Sequence, residues 1–336
     1  MRLVALVATA IVVASTALAQ TSSVPPVTAV LDGRFAIGDA QLPIFVSQNW
    51  SQALPAIRRV VIVVHGFHRN ADDYARNMIG FGPPPDTLIV APQFLAAEDV
   101  AAHHLPDAML RWDREQWSDG NPALGPASLS AFDAFDAILV RVTDRATFPN
   151  LAQVVLAGFS AGGQVVQRYA AVATGETAIP LRFVVGSPGT FAYFGDERPL
   201  PEGGFGAFPG AAECPDYNRW KFGFAGGMPP YVANAAALGV PALENRYVAR
   251  DIVYLVGAND TDPNHRLLNK TCAAEAQGPT RLARMQSFVA ELKQRGGAAF
   301  KQPLWVIDSA AHNEAKVFGS PCGRAVLFGD GNCREN

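Results

Sequence analysis

The chain has 336 residues, of which 17% are charged, and a formal net charge of −3. This length is enough to bury the core of one large domain or two small ones. The low charge content and the slightly acidic balance exclude the basic surface that nucleic-acid binding requires, and no polybasic run indicates binding to a membrane surface.

Residues 1–19 have the pattern of a signal peptide. Arg2 is followed by the apolar stretch Leu3–Val13 and by Ala17-Leu18-Ala19, which is typical of a cleavage site. The apolar stretch is short for a transmembrane helix, and no stop-transfer segment flanks it. We therefore expect cleavage before Gln20 and a secreted or periplasmic protein without stable membrane insertion. Residues 20–336 are expected to form a single domain.

Short apolar runs rich in β-branched residues recur along the chain and predict buried strands. None alternates cleanly between apolar and polar residues, as expected for strands covered on both faces. They are Val60–Val64, Leu88–Ala91, Val154–Ala157, Phe183–Val185, Ile252–Val256 and Leu304–Ile307. Before them, Leu31–Ile37 and Leu42–Val46 predict one or two antiparallel strands, and Pro43 is expected to confine the second to an edge of the sheet.

Helical periodicity fills several intervals between these strands. One apolar helical face comprises Phe132, Phe135, Leu139 and Val142. Ser130 and Asp133 are spaced as a capping box at its start. A second apolar face, which begins near Pro279 and ends at Gly296-Gly297, comprises Leu282, Met285, Val289 and Leu292. The alternation of strands and helices predicts an α/β fold with a mostly parallel central sheet and helices on both faces.

The pentapeptide Gly158-Phe159-Ser160-Ala161-Gly162 follows the run Val154–Ala157 and precedes a helical pattern at Gln164–Val172. Strand, G-x-S-x-G and helix in this order are the context of a nucleophile elbow, in which a sharp turn lifts a serine hydroxyl clear of the sheet. The helix N-terminus behind the serine favours negative charge that develops there. Ser160 is therefore the candidate nucleophile.

Segment 187–245 interrupts the alternation of strands and helices with glycine and proline pairs and many aromatic residues. We predict an insertion that precedes the strand Ile252–Val256 and lies over the C-terminal edge of the sheet. Two interpretations stay open. The insertion is either a lid or substrate wall, or a surface excursion with a small core of its own.

A serine hydroxyl needs a base to accept its proton and an acid to orient that base. His312 is the candidate base because it lies in a loop after the last predicted strand, from which it can reach over the sheet edge. Asp260, directly after the run Ile252–Val256, is the candidate acid, with Asp262 as the alternative. The order Ser, Asp, His is that of nucleophile-elbow enzymes.

The other histidines fit the role of base less well. His103 and His104 lie between predicted strands, and His265 lies in a polar turn. His65 and His68 belong to the motif His-Gly-Phe-His after the strand Val60–Val64. We expect His65 to bond the backbone of this loop rather than to transfer protons.

The oxyanion site is predicted to combine two backbone N–H groups, those of Phe67 and Ala161. The tight turn at Gly66 can aim the Phe67 amide at the nucleophile, and Ala161 directly follows Ser160. Phe159 and Trp305, together with Phe67 and the aromatic residues of the insertion, predict an apolar acyl or aromatic pocket.

The four cysteines predict two disulfides, since an even count in an exported chain favours pairing. Three pairings are open to four cysteines. Our prediction is Cys322–Cys333, which closes a short C-terminal loop and leaves Cys214 to pair with Cys272. The sequence has neither a C-x-x-C motif nor a cluster of cysteine and histidine that would indicate zinc.

Taken together, these motifs resemble the α/β-hydrolase superfamily over nearly the whole mature chain. The matching pieces are His65-Gly66-Phe67, Gly158–Gly162, Asp260 after a strand and the late His312. Three longer stretches resemble an exported bacterial subgroup of serine esterases: Ser160–Tyr169, Asp260–His265 and Gln277–Arg281. The chain departs from the pattern of many esterases at Phe159, where they have histidine, and in lacking the His-Gly-Gly-Gly loop of carboxylesterases.

The resemblance implies the α/β-hydrolase fold with a lid-like insertion, and an acyl-enzyme mechanism without metal or organic cofactor. The expected function is that of a secreted serine hydrolase that cleaves small-molecule or polymeric carboxylic esters through Ser160, His312 and Asp260. A secreted serine peptidase of the same fold is one alternative. A non-catalytic envelope or binding protein is the other, although all three catalytic side chains are present. Neither the particular ester nor the oligomeric state follows from the sequence.

Overall fold

The computed structural model of the protein describes residues 25–175, 177–331 and 333, so the predicted signal peptide lies outside the described residues. The strands are β1 (Arg34–Ile37), β2 (Ala40–Val46), β3 (Arg59–Val64), β4 (Thr87–Pro92), β5 (Gln153–Phe159), β6 (Leu181–Gly186), β7 (Glu197–Pro199), β8 (Phe205–Ala207), β9 (Asp251–Gly257) and β10 (Leu304–Ile307). Eight of them form one sheet in the order β1-β2-β4-β3-β5-β6-β9-β10, and β7 and β8 form a separate hairpin.

The helices are α1 (Ala71–Gly80), α2 (Ala97–Ala102), α3 (Ala131–Val142), α4 (Ala161–Val172), α5 (Pro230–Ala236), α6 (Val240–Ala249), α7 (Cys272–Glu275), α8 (Arg281–Gly296), α9 (Glu314–Phe318) and α10 (Pro321–Phe328). Short 3-10 turns lie at Gln116–Asp119 and Gly297–Ala299. Within the described ranges, no helix combines the length and the apolar composition needed to cross a bilayer.

Helices cover both faces of the sheet, as the side chains of β3 show. Val60, Ile62 and Val64 pack in a core that includes residues of α3, α4, α6 and α8. Val61 and Val63 point to the opposite face and pack with residues of α1, α9 and α10. Because side chains alternate along a strand, a run of consecutive valines fills both cores at once. The predicted α/β architecture is confirmed.

The central part of the sheet is parallel, which decides where functional loops meet. β4, β3, β5, β6, β9 and β10 run in one direction, whereas β1 and β2 are antiparallel to their neighbours. The carboxyl ends of the parallel strands therefore lie at one edge, and the loops that follow β3, β5, β9 and β10 converge there.

The prediction that Pro43 confines its strand to an edge was wrong, because β2 lies between β1 and β4. Pro43 is at the end of the β2–β4 ladder, where the regular register begins at Ile44 opposite Pro92. The Pro43 carbonyl still accepts a hydrogen bond of 2.9 Å from the N–H of Gln93. The missing N–H therefore costs the ladder a single terminal bond, which an interior strand tolerates.

Both helices that the apolar periodicity predicts are confirmed. α3 begins after Ser130, whose Oγ accepts from the N–H of Asp133 at 3.2 Å, while Asp133 Oδ2 accepts from the N–H of Ser130 at 2.7 Å. This is the reciprocal capping box. α8 begins at Arg281, after the capping residue Thr280, and ends at Gly296.

Segment 187–245 contains the β7–β8 hairpin, α5 and most of α6. α5 and α6 pack against α4, on one face of the sheet. Phe191 stacks on Phe288 of α8 with ring centroids 4.4 Å apart, which anchors the start of the segment in the core. Gly189 and Lys221 line a cavity beside Ser160. The lid function of this insertion stays a prediction.

Both predicted disulfides are confirmed. Cys214 of the insertion is bonded to Cys272 at the start of α7, with Cα atoms 6.0 Å apart. Cys322 of α10 is bonded to Cys333, which closes the C-terminal loop. The first bond ties the insertion to the segment between β9 and α8, next to the residues that follow Asp260.

Candidate active site

Ser160 lies at a sharp turn between β5 and α4, with φ 59° and ψ −117°, a conformation that costs energy for any residue other than glycine. The turn requires close approach of main chains. A Cβ on Gly162 would lie 2.3 Å from the Val64 carbonyl oxygen, and one on Gly158 would lie 2.2 Å from the Gly162 carbonyl oxygen. The two flanking glycines therefore allow α4 to begin directly against β3 and β5, which is the geometry of a nucleophile elbow.

The structure brings Ser160, His312 and Asp260 together in one hydrogen-bonded row. His312 Nε2 lies 3.0 Å from Ser160 Oγ, and His312 Nδ1 lies 2.7 Å from Asp260 Oδ2. The three residues follow β5, β10 and β9, whose carboxyl ends share one edge of the sheet. The side chains of His312 and Asp260 are 12% and 4% exposed, so the row is largely shielded from water.

The alternative acid and the other histidines are not part of this row. Asp262 is exposed, and its Oδ1 accepts a hydrogen bond from the N–H of Asn264. His103 Nε2 contacts the Val27 carbonyl oxygen at 2.7 Å. His68 is exposed at the rim of the larger cavity described below. Of the two candidate acids, Asp260 is the one that forms a hydrogen bond with His312.

His65 has the structural role expected of it. The N–H of Phe94 donates to His65 Nε2 at 2.9 Å, so the proton is on Nδ1, which donates to the Gly66 carbonyl oxygen at 2.9 Å. The side chain is fully buried, and this burial lowers its pKa to about 4. A neutral His65 therefore holds the loop that follows β3 in place.

This loop lies directly against the serine. A Cβ on Gly66 would lie 3.6 Å from Ser160 Cβ. The next N–H group, that of Phe67, and the N–H of Ala161 at the first position of α4 donate to no other atom of the described residues. Two free backbone donors beside a serine hydroxyl are the elements of an oxyanion site.

Arg281, to which the sequence analysis assigned no role, forms an ion pair with the carboxylate oxygen of Asp260 that does not contact His312. Its side chain is 2% exposed, and its Nη1 lies 3.6 Å from Asp260 Oδ1. Its Nη2 lies 3.3 Å from Nδ1 of His265, whose ring centroid is 5.4 Å from that of His312. Burial of a guanidinium without a counter-charge is costly, so Arg281 and Asp260 stabilise each other. Nothing in the local pattern signals this pair, which depends on how α8 packs.

The electrostatics keep His312 neutral at ordinary pH. Burial lowers the pKa of His312 below 6.5, and the positive charge of Arg281 lowers it further, whereas the hydrogen bond to Asp260 raises it. Burial outweighs the carboxylate, so the net direction is downward. In the neutral imidazole, Nδ1 carries the proton and donates it in a hydrogen bond to Asp260. Nε2 is then unprotonated and can accept the proton of Ser160.

Within the described part of the chain, Ser160 lines two cavities whose walls are mostly polar. The larger, of about 490 Å³, extends past Asn70, Asn77, His265 and Glu314. The smaller, of about 200 Å³, is lined by Lys221 and Gln164, among others. Phe67 lines both cavities.

The two aromatic residues predicted for an apolar pocket have different positions. Phe159 lines the larger cavity, and its ring centroid is 4.9 Å from that of His312. Trp305 lines neither cavity, so the structure does not bring it to Ser160. It lies within edge strand β10 and packs against the core under α1 and α10. A side chain in the middle of a strand points into a core rather than over the carboxyl edge.

The comparisons with known proteins bear on the fold. No family model and no curated protein matches the sequence. Among solved structures, poly(aspartic acid) hydrolase-1 from Sphingomonas sp. KT-1 is similar with a TM-score of 0.60 and 18% identity, over 90% of this chain and 99% of that one. LpqC, a poly(3-hydroxybutyrate) depolymerase from Bordetella parapertussis, is similar with a TM-score of 0.55 and 22% identity, over 88% of this chain and 86% of that one. The chain has the α/β-hydrolase fold.

Proposed function

We propose that the protein is a secreted serine hydrolase that cleaves carboxylic esters through Ser160, His312 and Asp260. The observation that carries the proposal is the continuous row of hydrogen bonds from Asp260 Oδ2 to His312 and from His312 to Ser160 Oγ. A nucleophile, a base and an orienting acid at such distances are the minimum that acyl transfer requires. The strained turn at Ser160 supports the same conclusion, because such strain persists where function uses it.

In the proposed mechanism, Ser160 Oγ bonds to the acyl carbon while its proton moves to His312 Nε2. The N–H groups of Phe67 and Ala161 donate to the carbonyl oxygen as it becomes negative. The C–O bond to the alcohol then breaks, and the alcohol takes the proton from His312. Water gives a proton to His312 and attacks the acyl carbon, which releases the acid and returns the proton to Ser160.

Throughout the reaction, Asp260 accepts the hydrogen bond from His312 Nδ1 and so holds the proton on that nitrogen. It also stabilises the imidazolium that forms when His312 accepts the serine proton. Residues 20–336 are proposed to form a single catalytic domain after removal of residues 1–19. Two disulfides in this chain support export to an oxidising compartment.

The first test uses a fluorescent fluorophosphonate, which labels activated serines, on the mature protein and on Ser160→Ala. Ser187→Ala is the matched control, since Ser187 is a buried serine just after β6 whose hydroxyl makes no hydrogen bond in the described structure. We expect labelling of the wild type and of the control and none of Ser160→Ala. Undiminished labelling of Ser160→Ala would overturn the proposal.

The second test separates esters from peptides. p-Nitrophenyl esters of increasing acyl length and p-nitroanilide peptides are assayed side by side with the same two variants. Poly(3-hydroxybutyrate) and poly(aspartic acid) are included, because proteins with this fold are described as acting on them. Hydrolysis of esters that depends on Ser160, with peptide turnover much slower, is the expected result. Preferential peptide turnover would favour the peptidase alternative.

A further inference from the structure

Lys221 lines the smaller cavity beside Ser160, and behind it lie Asp119 and the buried Arg168. Arg168 Nη1 contacts Asp119 Oδ1 at 2.9 Å, and Lys221 Nζ contacts Asp119 Oδ2 at 2.8 Å. The single carboxylate of Asp119 forms ion pairs with both cations, so the three side chains together carry a net charge of +1. Arg168 is fully buried, whereas the Lys221 side chain is 26% exposed and lines the cavity. The excess positive charge is therefore available to a ligand at Lys221.

A second donor, the side-chain amide of Gln164 on the first turns of α4, lines the same cavity. Arg168 Nη2 donates to Thr190 Oγ at 2.8 Å, and Thr190 Oγ donates to Gln164 Oε1 at 2.8 Å. The Thr190 hydroxyl thus accepts from the guanidinium and donates to the amide oxygen, so the amide nitrogen of Gln164 faces away from Thr190. Gln164 Nε2 is then a donor without a partner among the residues that the structure describes.

The remaining charges at this cavity do not cancel the excess. Arg266 and Glu115 both line it and offset each other. Arg281 also lines it, but its charge is balanced by Asp260. A single buried arginine, Arg168, thus positions both donors, Lys221 through Asp119 and Gln164 through Thr190.

From this arrangement we infer that the cavity binds a carboxylate group of the substrate, held by Lys221 Nζ and Gln164 Nε2. The inference rests on the proposed function and names its substrate class: esters that carry a second, free carboxylate in their acyl or alcohol part. A carboxylate accepts charge-assisted hydrogen bonds from an ammonium and an amide, and the semi-enclosed site weakens competition from water. The mostly polar walls of the cavities agree with such a substrate better than with a plain alkyl ester.

The test compares two esters that have the same shape and differ in charge, monomethyl glutarate and its ω-amide. A second pair places the carboxylate or amide on the alcohol side, as 3-acetoxypropanoate and its amide. Acid release is followed by titration at constant pH. We expect kcat/KM for the carboxylate of at least one pair to exceed that of its amide roughly tenfold, as one charge-assisted contact allows.

Two variants locate the effect. Lys221→Met keeps the aliphatic stem and removes the charge, and Gln164→Glu keeps the Thr190 hydrogen bond and adds a like charge. Both are expected to lower the carboxylate-to-amide ratio to about one or below. Lys301→Met, which removes an exposed lysine away from the cavity, is the matched control and is expected to keep the wild-type ratio. Thermal unfolding shows whether each variant is folded.

The outcomes separate this inference from the proposed function. The esterase proposal stands if the wild type is labelled by the fluorophosphonate and hydrolyses p-nitrophenyl acetate. If, in that case, kcat/KM is the same for the carboxylate and the amide in both pairs, the carboxylate site is overturned. A preference for carboxylate that survives in both Lys221→Met and Gln164→Glu also overturns it. Absence of labelling and of all hydrolysis is a failure of the proposed function itself.

Discussion

The substitution Asp260→Asn probes the row of hydrogen bonds most directly. Arg281 Nη1 lies 3.6 Å from one carboxylate oxygen, and His312 Nδ1 lies 2.7 Å from the other. An asparagine at this position directs its carbonyl oxygen toward the guanidinium, because the guanidinium only donates. Its NH₂ group then faces His312 Nδ1 and requires a lone pair there. The imidazole proton moves to Nε2, which can no longer accept the proton of Ser160.

The loss expected from this tautomer change is about 10⁴-fold in kcat, which corresponds to about 5 kcal/mol in the activation barrier. The measurement is the steady-state hydrolysis of p-nitrophenyl acetate at pH 8, together with thermal unfolding. Unfolding is included because Arg281 loses its negative partner, so Asp260→Asn is expected to be less stable as well. The assay temperature is chosen well below the unfolding midpoint of the variant.

Asp262→Asn is the matched control, since Asp262 is exposed and was the other candidate acid. It is expected to keep kcat within a factor of about two of the wild type, as for a surface substitution of small energetic effect. The reasoning is refuted if folded Asp260→Asn retains more than about a tenth of the wild-type kcat, against the tautomer argument. Equal losses in the two variants would refute it as well.

Three further predictions concern pH, packing and covalent structure. Burial lowers the pKa of His312, and His312 must be neutral to act as the base. We therefore expect kcat/KM to fall with decreasing pH at a midpoint below pH 6.5. A pH–rate profile with a midpoint above pH 6.5 would contradict this expectation. Gly162→Ala is expected to lower the free energy of unfolding, measured in urea, by about 3 kcal/mol or more, because its Cβ would lie 2.3 Å from a main-chain oxygen of β3. Gly80→Ala is the control: its Cβ would lie in open space at the end of α1, so the free energy of unfolding is expected to stay the same or to rise. Replacing both Cys214 and Cys272 by alanine removes a link with a sequence separation of 58 and is expected to lower the free energy of unfolding by about 4 kcal/mol; a loss below 1 kcal/mol would show that the link hardly restricts the unfolded chain.

The nucleophile turn could be predicted because its requirements are local. A strand of apolar residues, a pair of glycines around Ser160 and an apolar helical face are properties of neighbouring residues, and the structure places each where the pattern indicates. The capping box of Ser130 and Asp133 is local in the same sense. Both disulfide pairs were also correct, although that prediction rested on loop length and elimination.

Other features depended on packing between distant segments. Pro43 looked like an edge residue, since proline lacks a donor, yet the end of the β2–β4 ladder accommodates it. Trp305 looked like a pocket residue, but the direction of its side chain follows the pleat of β10 and leads into a core. Neither outcome could be derived from residue type without the neighbouring strands.

The sequence by itself determined the class of the fold and the position of Ser160 at a sharp turn between a buried strand and a helix. These depend on periodicity and turn chemistry, which act over a few residues. Only the tertiary structure decided that Asp260 rather than Asp262 contacts His312, that Arg281 packs against Asp260, and that Lys221 lines the same cavity as Ser160. Such contacts join segments many residues apart, and their geometry is set by how strands align and helices pack rather than by any local preference.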